Sequence, residues 1–260
     1  MSELEYTVEG GIGTILLNRP EQRNAFTVSL VERWAEVLRE ARFDDSVRVI
    51  IVTGAGEAFC AGGEFSDLEP GRMNTRERKD YLTEHVHRVA LALEDLDKPV
   101  IAAVNGGAVG AGMDFALMCD MRFAARSARF SEGYIKVGLV PGDGGAYYLP
   151  RLVGPAKALE LLLSGDFIDA EEAERIGIVN RVYDDETLIE ETYGFARKLA
   201  DGPPYITRMI KRAVYQSART DLRTSLDLIS SHMAVAQSTE DSAEAYRALR
   251  EHRRPNFTNE

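Results

Sequence analysis

One glycine-rich run constrains this chain more than any other: Lys98-Pro-Val-Ile-Ala-Ala-Val-Asn-Gly-Gly-Ala-Val-Gly-Ala-Gly-Met-Asp114. Val100–Val104 reads as a buried strand. Gly106, Gly107, Gly110 and Gly112 then allow close backbone approach, and Asp114 follows at once on a predicted helix. Bare N–H groups at a helix start form an anion site. An anion site beside a carboxylate suits a catalyst that stabilises developing negative charge while protons move.

The pattern around this run is of alternating strands and helices. Tyr6–Val8 and Ile12–Leu17 flank Gly10-Gly11, a hairpin signal. Thr27–Ala41 has helical spacing, with Leu30, Trp34 and Leu38 on one face. Val47–Thr53 is a near-continuous apolar strand ending in Gly54-Ala-Gly56, and residues 76–96 read as helix. Short strands are expected at Arg122–Ala125 and Ile178–Val182. Asp169-Ala-Glu-Glu172 predicts a helix start in which Asp169 caps and Glu172 reaches back, with Gly177 as the stop. Strands apolar on both faces between helices indicate parallel α/β units. From about residue 184 the pattern is almost all helical. The stripe Leu222, Leu226, Ile229, Met233 and Ala236 is expected to dock on the chain's own core, with an oligomer interface as the alternative. No repeat with solenoid spacing is visible.

Composition narrows the function. With a net charge of −11 over 260 residues, nucleic acid and anionic membranes are disfavoured as partners. Cys60 and Cys119 lie far apart without metal spacing and read as buried free thiols in a reducing compartment. The acidic N-terminus lacks signal-peptide features, and the expected location is the cytoplasm. There is no Gly-x-Ser-x-Gly elbow and no Gly-x-x-x-x-Gly-Lys-Ser/Thr loop. His85 and His87, two apart on a predicted helix, point to different sides and argue against a metal site.

A second glycine segment, Ala58-Phe-Cys-Ala-Gly-Gly-Glu-Phe-Ser-Asp-Leu68, also comes after a predicted strand. The two segments look like the halves of an oxyanion hole, and the pair resembles the crotonase, or enoyl-CoA hydratase/isomerase, family. The resemblance extends to Leu17-Asn-Arg-Pro-Glu-Gln-Arg-Asn-Ala-Phe26, Gly138-Leu-Val-Pro-Gly-Asp-Gly-Gly145, Leu163-Ser-Gly-Asp166, Ala170–Val179 and Arg253-Arg-Pro-Asn-Phe257. These motifs run through nearly the whole chain in the family's order.

The resemblance implies an α/β fold, a crotonase-like spiral of ββα units over residues 1–200, with a C-terminal helical region, 201–260, for oligomerisation and site cover. It implies an acyl-CoA thioester substrate and a homotrimer or dimer of trimers. It implies no cofactor, since CoA enters as part of the substrate. The oxyanion donors would be the backbone N–H groups of Gly63 and Ala111, and CoA would meet Arg23, Ala25, Ala61, Phe65, Arg254 and Phe257. The first catalytic glutamate of typical hydratases corresponds here to Asp114 and the second to Tyr134. A phenol is a donor at neutral pH and a poor base. Asp143 stands where the branch that hydrolyses cyclic β-diketones has an aspartate, though that branch has a histidine at the Tyr134 position. Tyr134 and Asp143 are therefore expected to hydrogen-bond and relay a proton, the alternative being that Asp143 only caps the helix after it. Glu64 and Glu132 are taken as structural or pocket-lining. The resemblance supports a hydratase or isomerase, with a C–C hydrolase of a β-diketone or cyclic ketone and a catalytically silent acyl-CoA binder as alternatives.

Overall fold

The computed structural model describes residues 2–64, 71 and 73–259. Strands β1 (Leu4–Glu9) and β2 (Ile12–Leu17) form the expected hairpin around Gly10-Gly11. They continue into β3 (Val49–Gly54), β5 (Val100–Val104), β7 (Met121–Ala125) and β10 (Arg181–Tyr183), giving a six-stranded sheet in the order β1-β2-β3-β5-β7-β10. From β2 onward the pairing is parallel. β3 and β5 are buried along their whole length, which is why both read as unbroken apolar runs.

Each of β3, β5 and β7 is succeeded within a few residues by a three-residue strand of a second sheet. These are β4 (Ala58–Cys60), β6 (Gly107–Val109) and β8 (Arg129–Ser131). They pair in parallel, and β9 (Ile168–Asp169) closes the edge antiparallel to β8. The chain thus turns three times through two sheets, with helices between the turns. The intervals between turns are unequal, so the repeat leaves no fixed period in the sequence.

The helix Val28–Phe43 starts at Thr27, whose hydroxyl accepts from the Leu30 N–H at 3.2 Å. Its far end is held by Lys98, whose buried ammonium donates to the Ala41 and Asp44 carbonyls at 2.6 and 2.7 Å. Trp34 from this helix packs on Phe115 with ring centroids 4.9 Å apart. Phe115 belongs to the helix Ala111–Met118, all of whose residues are buried. The buried guanidinium of Arg122 caps that helix, donating to the Cys119 carbonyl at 2.6 Å and to Ile178 O at 2.6 Å. A cation at a helix C-terminus meets carbonyls that have no partner within the helix.

Four local expectations change. Residues 76–96 are not one regular helix: Thr75–Tyr81 and His87–Asp95 flank a π-helical stretch, Leu82–Val86. Residues 178–180 do not join the strand, because the Ile178 and Val179 N–H groups both cap the preceding helix at Ala173 O. Asp169 caps that helix as expected, but Glu172 pairs with Arg175 at 2.6 Å instead of reaching back. The fourth concerns the stripe on helix Leu222–Gln237. Leu222, Leu226, Ile229 and Met233 are exposed by 73, 55, 37 and 56%, so the helix does not bury them against its own core. Its neighbour Pro204–Ser217 does dock, through Lys211 and Tyr215 on Asp120 at 2.7 and 2.8 Å.

Candidate active site

The three short strands β4, β6 and β8 run parallel, and the segments leaving their carboxyl ends build the site. After β4 come Gly62 and Gly63, after β6 Gly110 and Ala111, and after β8 Glu132 and Tyr134. Gly110 adopts φ +53° and turns the chain into the helix that begins at Ala111. As the first helical residue, Ala111 has an N–H with no acceptor one turn back. Gly112 seals the junction: a Cβ there would lie 2.0 Å from the backbone oxygen of Cys60. A Cβ on Gly62 would lie 3.7 Å from the Ala111 nitrogen, so the two glycine segments adjoin. Gly63 is fixed by its bridge to Phe26, flanked by Phe26 N–H to Gly62 O at 2.9 Å and Glu64 N–H to Phe26 O at 3.1 Å.

Asp114 sits in the first turn of the helix Ala111–Met118 and is fully buried. The Tyr134 hydroxyl lies 2.7 Å from Asp114 Oδ2 and 2.9 Å from Asp143 Oδ2. The three side chains thus come from three separate segments and meet at one phenol oxygen. Asp143 makes no cap to the helix Gly145–Ser164, which removes the alternative reading of that residue. Burial pushes the Asp114 carboxyl up to about 7, against the pull of the Tyr134 hydrogen bond, and the neighbouring charge of Asp143 adds to the rise. Burial also raises Asp143, while Tyr134 and the nearby His87 hold it back. The Tyr134 phenol is pushed well above its ordinary value by burial and by the charges of Asp114 and Asp143. Tyr134 therefore stays protonated at neutral pH. Its single proton cannot serve both carboxylates at once, so the phenol is suited to pass between them.

The residues expected to bind CoA separate into two places. Arg23, Ala25 and Ala61 come together, since the Ala61 N–H donates to Arg23 O at 3.0 Å and the Arg19 guanidinium donates to Ala25 O. Arg23 and Ala61 are exposed beside the glycine turn. The loop is held by buried Asn24, whose amide donates to Ala55 O and Ala58 O at 2.9 and 2.7 Å. Phe65 lies outside the described residues. Arg254 and Phe257 are not brought to the site by their own chain. The Phe257 carbonyl accepts from Arg48, which precedes the amino end of β3, whereas the site lies beyond the carboxyl ends of the strands.

Two side chains at the site carry little sequence signal. His87 Nε2 lies 2.8 Å from Gly142 O, on the loop that carries Asp143. His85 turns away to Glu32 at 2.7 Å. The expected parting of the two histidines holds, but the side on which His87 falls depends on the π turn before it. Glu132 is buried beside Asp114, whereas Glu64 pairs with Arg19 at 3.5 Å. A glutamate two residues before Tyr134 in a short strand–turn segment is the only hint of it in the sequence.

Together these features set three hydrogen-bonded acids near two adjoining glycine turns, on a spiral of paired strands. The sequence profile of the enoyl-CoA hydratase/isomerase family matches residues 7–260, and the chain belongs to that family. It is an acyl-CoA-processing enzyme of that family, a lyase or isomerase. It is 38% identical over 252 residues to the 1,2-epoxyphenylacetyl-CoA isomerase of Escherichia coli, covering 96% of each chain. It is 36% identical over 249 residues to the short-chain-enoyl-CoA hydratase of Clostridium acetobutylicum, covering 95% of this chain and 94% of that one. Its fold matches the crystal structure of enoyl-CoA hydratase from Bacillus anthracis with a TM-score of 0.95 at 32% identity, over 100% of both chains. These likenesses favour neither the diketone hydrolase nor the silent binder. Among the described residues no helix is long and apolar enough to cross a membrane.

Proposed function

We propose that this chain shifts the double bond of an unsaturated acyl-CoA through a thioester enolate. The observation that carries this reading is Tyr134 hydrogen-bonded to both Asp114 and Asp143. Hydration needs two carboxylates free to hold and deprotonate one water. Here the second carboxylate position is a phenol, and that phenol already engages both acids. Isomerisation needs only that a proton leave one carbon and return to another. In this scheme the Gly63 and Ala111 N–H groups hold the thioester oxygen, where enolate charge develops. Asp114 takes the proton from carbon and the C–H electron pair moves into the enolate. The other carbon then receives a proton from Asp114, or from a protonated Asp143 through Tyr134, Asp114 then passing its proton back to Asp143 by the same phenol. No cofactor is needed beyond the CoA of the substrate.

CoA lies along Arg23, Ala25, Ala61 and Phe65 in this proposal. Arg254 and Phe257 contribute from a neighbouring copy in a homotrimer or dimer of trimers. Their distance from the site in their own chain supports this, as does the exposed stripe Leu222–Met233. The unpaired thiols Cys60 and Cys119 suit a cytoplasmic location. Nucleic acid and membranes are not partners.

A panel of 2-enoyl- and 3-enoyl-CoA esters incubated in deuterated water tests the reaction by mass spectrometry and NMR. The expected product has the same elemental composition with the double bond moved and deuterium incorporated. Gain of one water, giving a 3-hydroxyacyl-CoA as the sole product, would assign hydration instead. That second reading is favoured by the hydratase names of relatives such as the Clostridium acetobutylicum enzyme.

A further inference from the structure

Glu132 is a buried carboxyl without a task in the proposed isomerisation. Both of its oxygens are buried without a hydrogen-bond donor, and so is Asp114 Oδ1. The two groups converge on one point. A Cβ on Gly145 would lie 2.4 Å from Asp114 Oδ1 and 2.9 and 3.0 Å from the two Glu132 oxygens. Gly145 leaves the room in which these carboxyls meet. The titratable groups facing Glu132 are Asp114 from its helix, Tyr134 from the adjoining turn and Asp143 from the loop before Gly145. None is a cation. His87, held at Gly142 O, acts through its charge on Asp143.

Two carboxylates this close, away from water and without a counter-charge, do not both ionise. A proton on Glu132 supplies the donor that Asp114 Oδ1 lacks and gives one Glu132 oxygen a partner. Glu132 then donates to Asp114 Oδ1 while Tyr134 donates to Oδ2, so the ionised Asp114 is held from both sides. A proton placed on Asp114 instead would leave a buried Glu132 anion without the Tyr134 donor.

We propose that Glu132 is held as a neutral carboxylic acid whose proton is donated to Asp114, making it a positioning residue that keeps Asp114 ionised. The direction of the electrostatics agrees: burial first, then the Asp114 charge, raises the Glu132 carboxyl far above its ordinary range. The inference rests on Asp114 being the base of the proposed reaction.

Infrared spectroscopy of the whole protein at pH 8 reads the proton directly. Wild type is expected to show the carbonyl stretch of a protonated carboxylic acid that disappears in Glu132→Gln and persists in Asp114→Asn. A band that survives in Glu132→Gln and vanishes in Asp114→Asn would overturn the proposal. Kinetics supply a second reading. Glu132→Gln keeps a neutral donor and should hold the acid limb of kcat/KM in place. Glu132→Ala removes the donor and should move that limb up by about one pH unit, roughly a tenfold loss on its acidic side. An acid limb displaced downward in Glu132→Gln would mean that a charge had been removed, and would equally overturn it. If Glu132→Ala fails to fold, the infrared comparison and the Glu132→Gln profile still decide. Absence of turnover with the band in place would defeat the isomerase reading and not the proton placement. Absence of the band with Asp114-dependent turnover would do the reverse.

Discussion

Two clusters of buried and partly buried ionisable groups in this molecule are treated in opposite ways. In the first, Lys98, Arg122 and Lys211 are cations spent on helix ends and on Asp120. Lys98 meets two carbonyls, Arg122 meets carbonyls from Cys119 and Ile178, and Lys211 meets Lys98 O at 2.9 Å and Asp120 at 2.7 Å. In the second, Asp114, Glu132, Tyr134 and Asp143 are acids with no cation bonded to them among the described residues and with oxygens left over. The first cluster satisfies its members and fixes the frame. The second leaves its members short of protons and donors, which raises their affinity for a proton toward neutral pH. Strain of that kind is kept where chemistry needs it.

The contrast predicts opposite outcomes for charge removal. Arg122→Met strands several buried carbonyls at the end of the helix that carries Asp114, and should lower folding stability by about 3 kcal/mol, read from urea denaturation. Asp114→Asn should lower turnover by about 100-fold or more with little change in acyl-CoA binding. The same substitution should stabilise the fold at alkaline pH. The native pKa of Asp114 lies above its unfolded value, so the native state holds an extra proton between them. Wild-type stability therefore falls as pH rises from the ordinary carboxylate range to about 7. The melting temperature of Asp114→Asn should equal that of wild type near pH 3 and exceed it at pH 8. A stability loss at pH 8 would place Asp114 with the frame instead of the site.

Smaller effects sharpen the same division. Lys211→Met takes the cation from Asp120 but leaves the Val100 N–H and Tyr215 donors, so it should cost about 1–2 kcal/mol and leave turnover of the folded enzyme alone. Tyr134→Phe removes the shared proton and should slow turnover about tenfold with unaltered thermal stability. His85→Ala breaks a half-exposed pair with Glu32 and a loose ring contact with Tyr81, and should shift stability by no more than about 1 kcal/mol.

The large sheet was legible because β3 and β5 are buried on both faces and read as apolar runs. The small sheet was not, since β4, β6 and β8 are three residues each and carry no period. Yet the small sheet positions the site. Its place in the sequence was marked instead by the two glycine segments just after β4 and β6, which carried the family resemblance. The contact of Tyr134 with Asp143 was expected from the resemblance alone; nothing local encodes a nine-residue excursion that returns. The second contact of Tyr134, to Asp114, and the approach of Glu132 depend on three segments converging, and no pattern within one segment reports that. The stripe from Leu222 to Met233 shows the converse limit. Periodicity establishes that a face is apolar, not which surface covers it.

The proposed isomerisation requires Asp114 to take a proton from the carbon next to a thioester held by the Gly63 and Ala111 N–H groups. The most direct measurement is hydrogen exchange at that carbon, monitored by NMR on an enoyl-CoA substrate in deuterated water, in wild type and in Asp114→Asn. The account predicts exchange in wild type and a rate at least about 100-fold lower in the variant, with acyl-CoA affinity retained. Exchange at the wild-type rate in Asp114→Asn would contradict it.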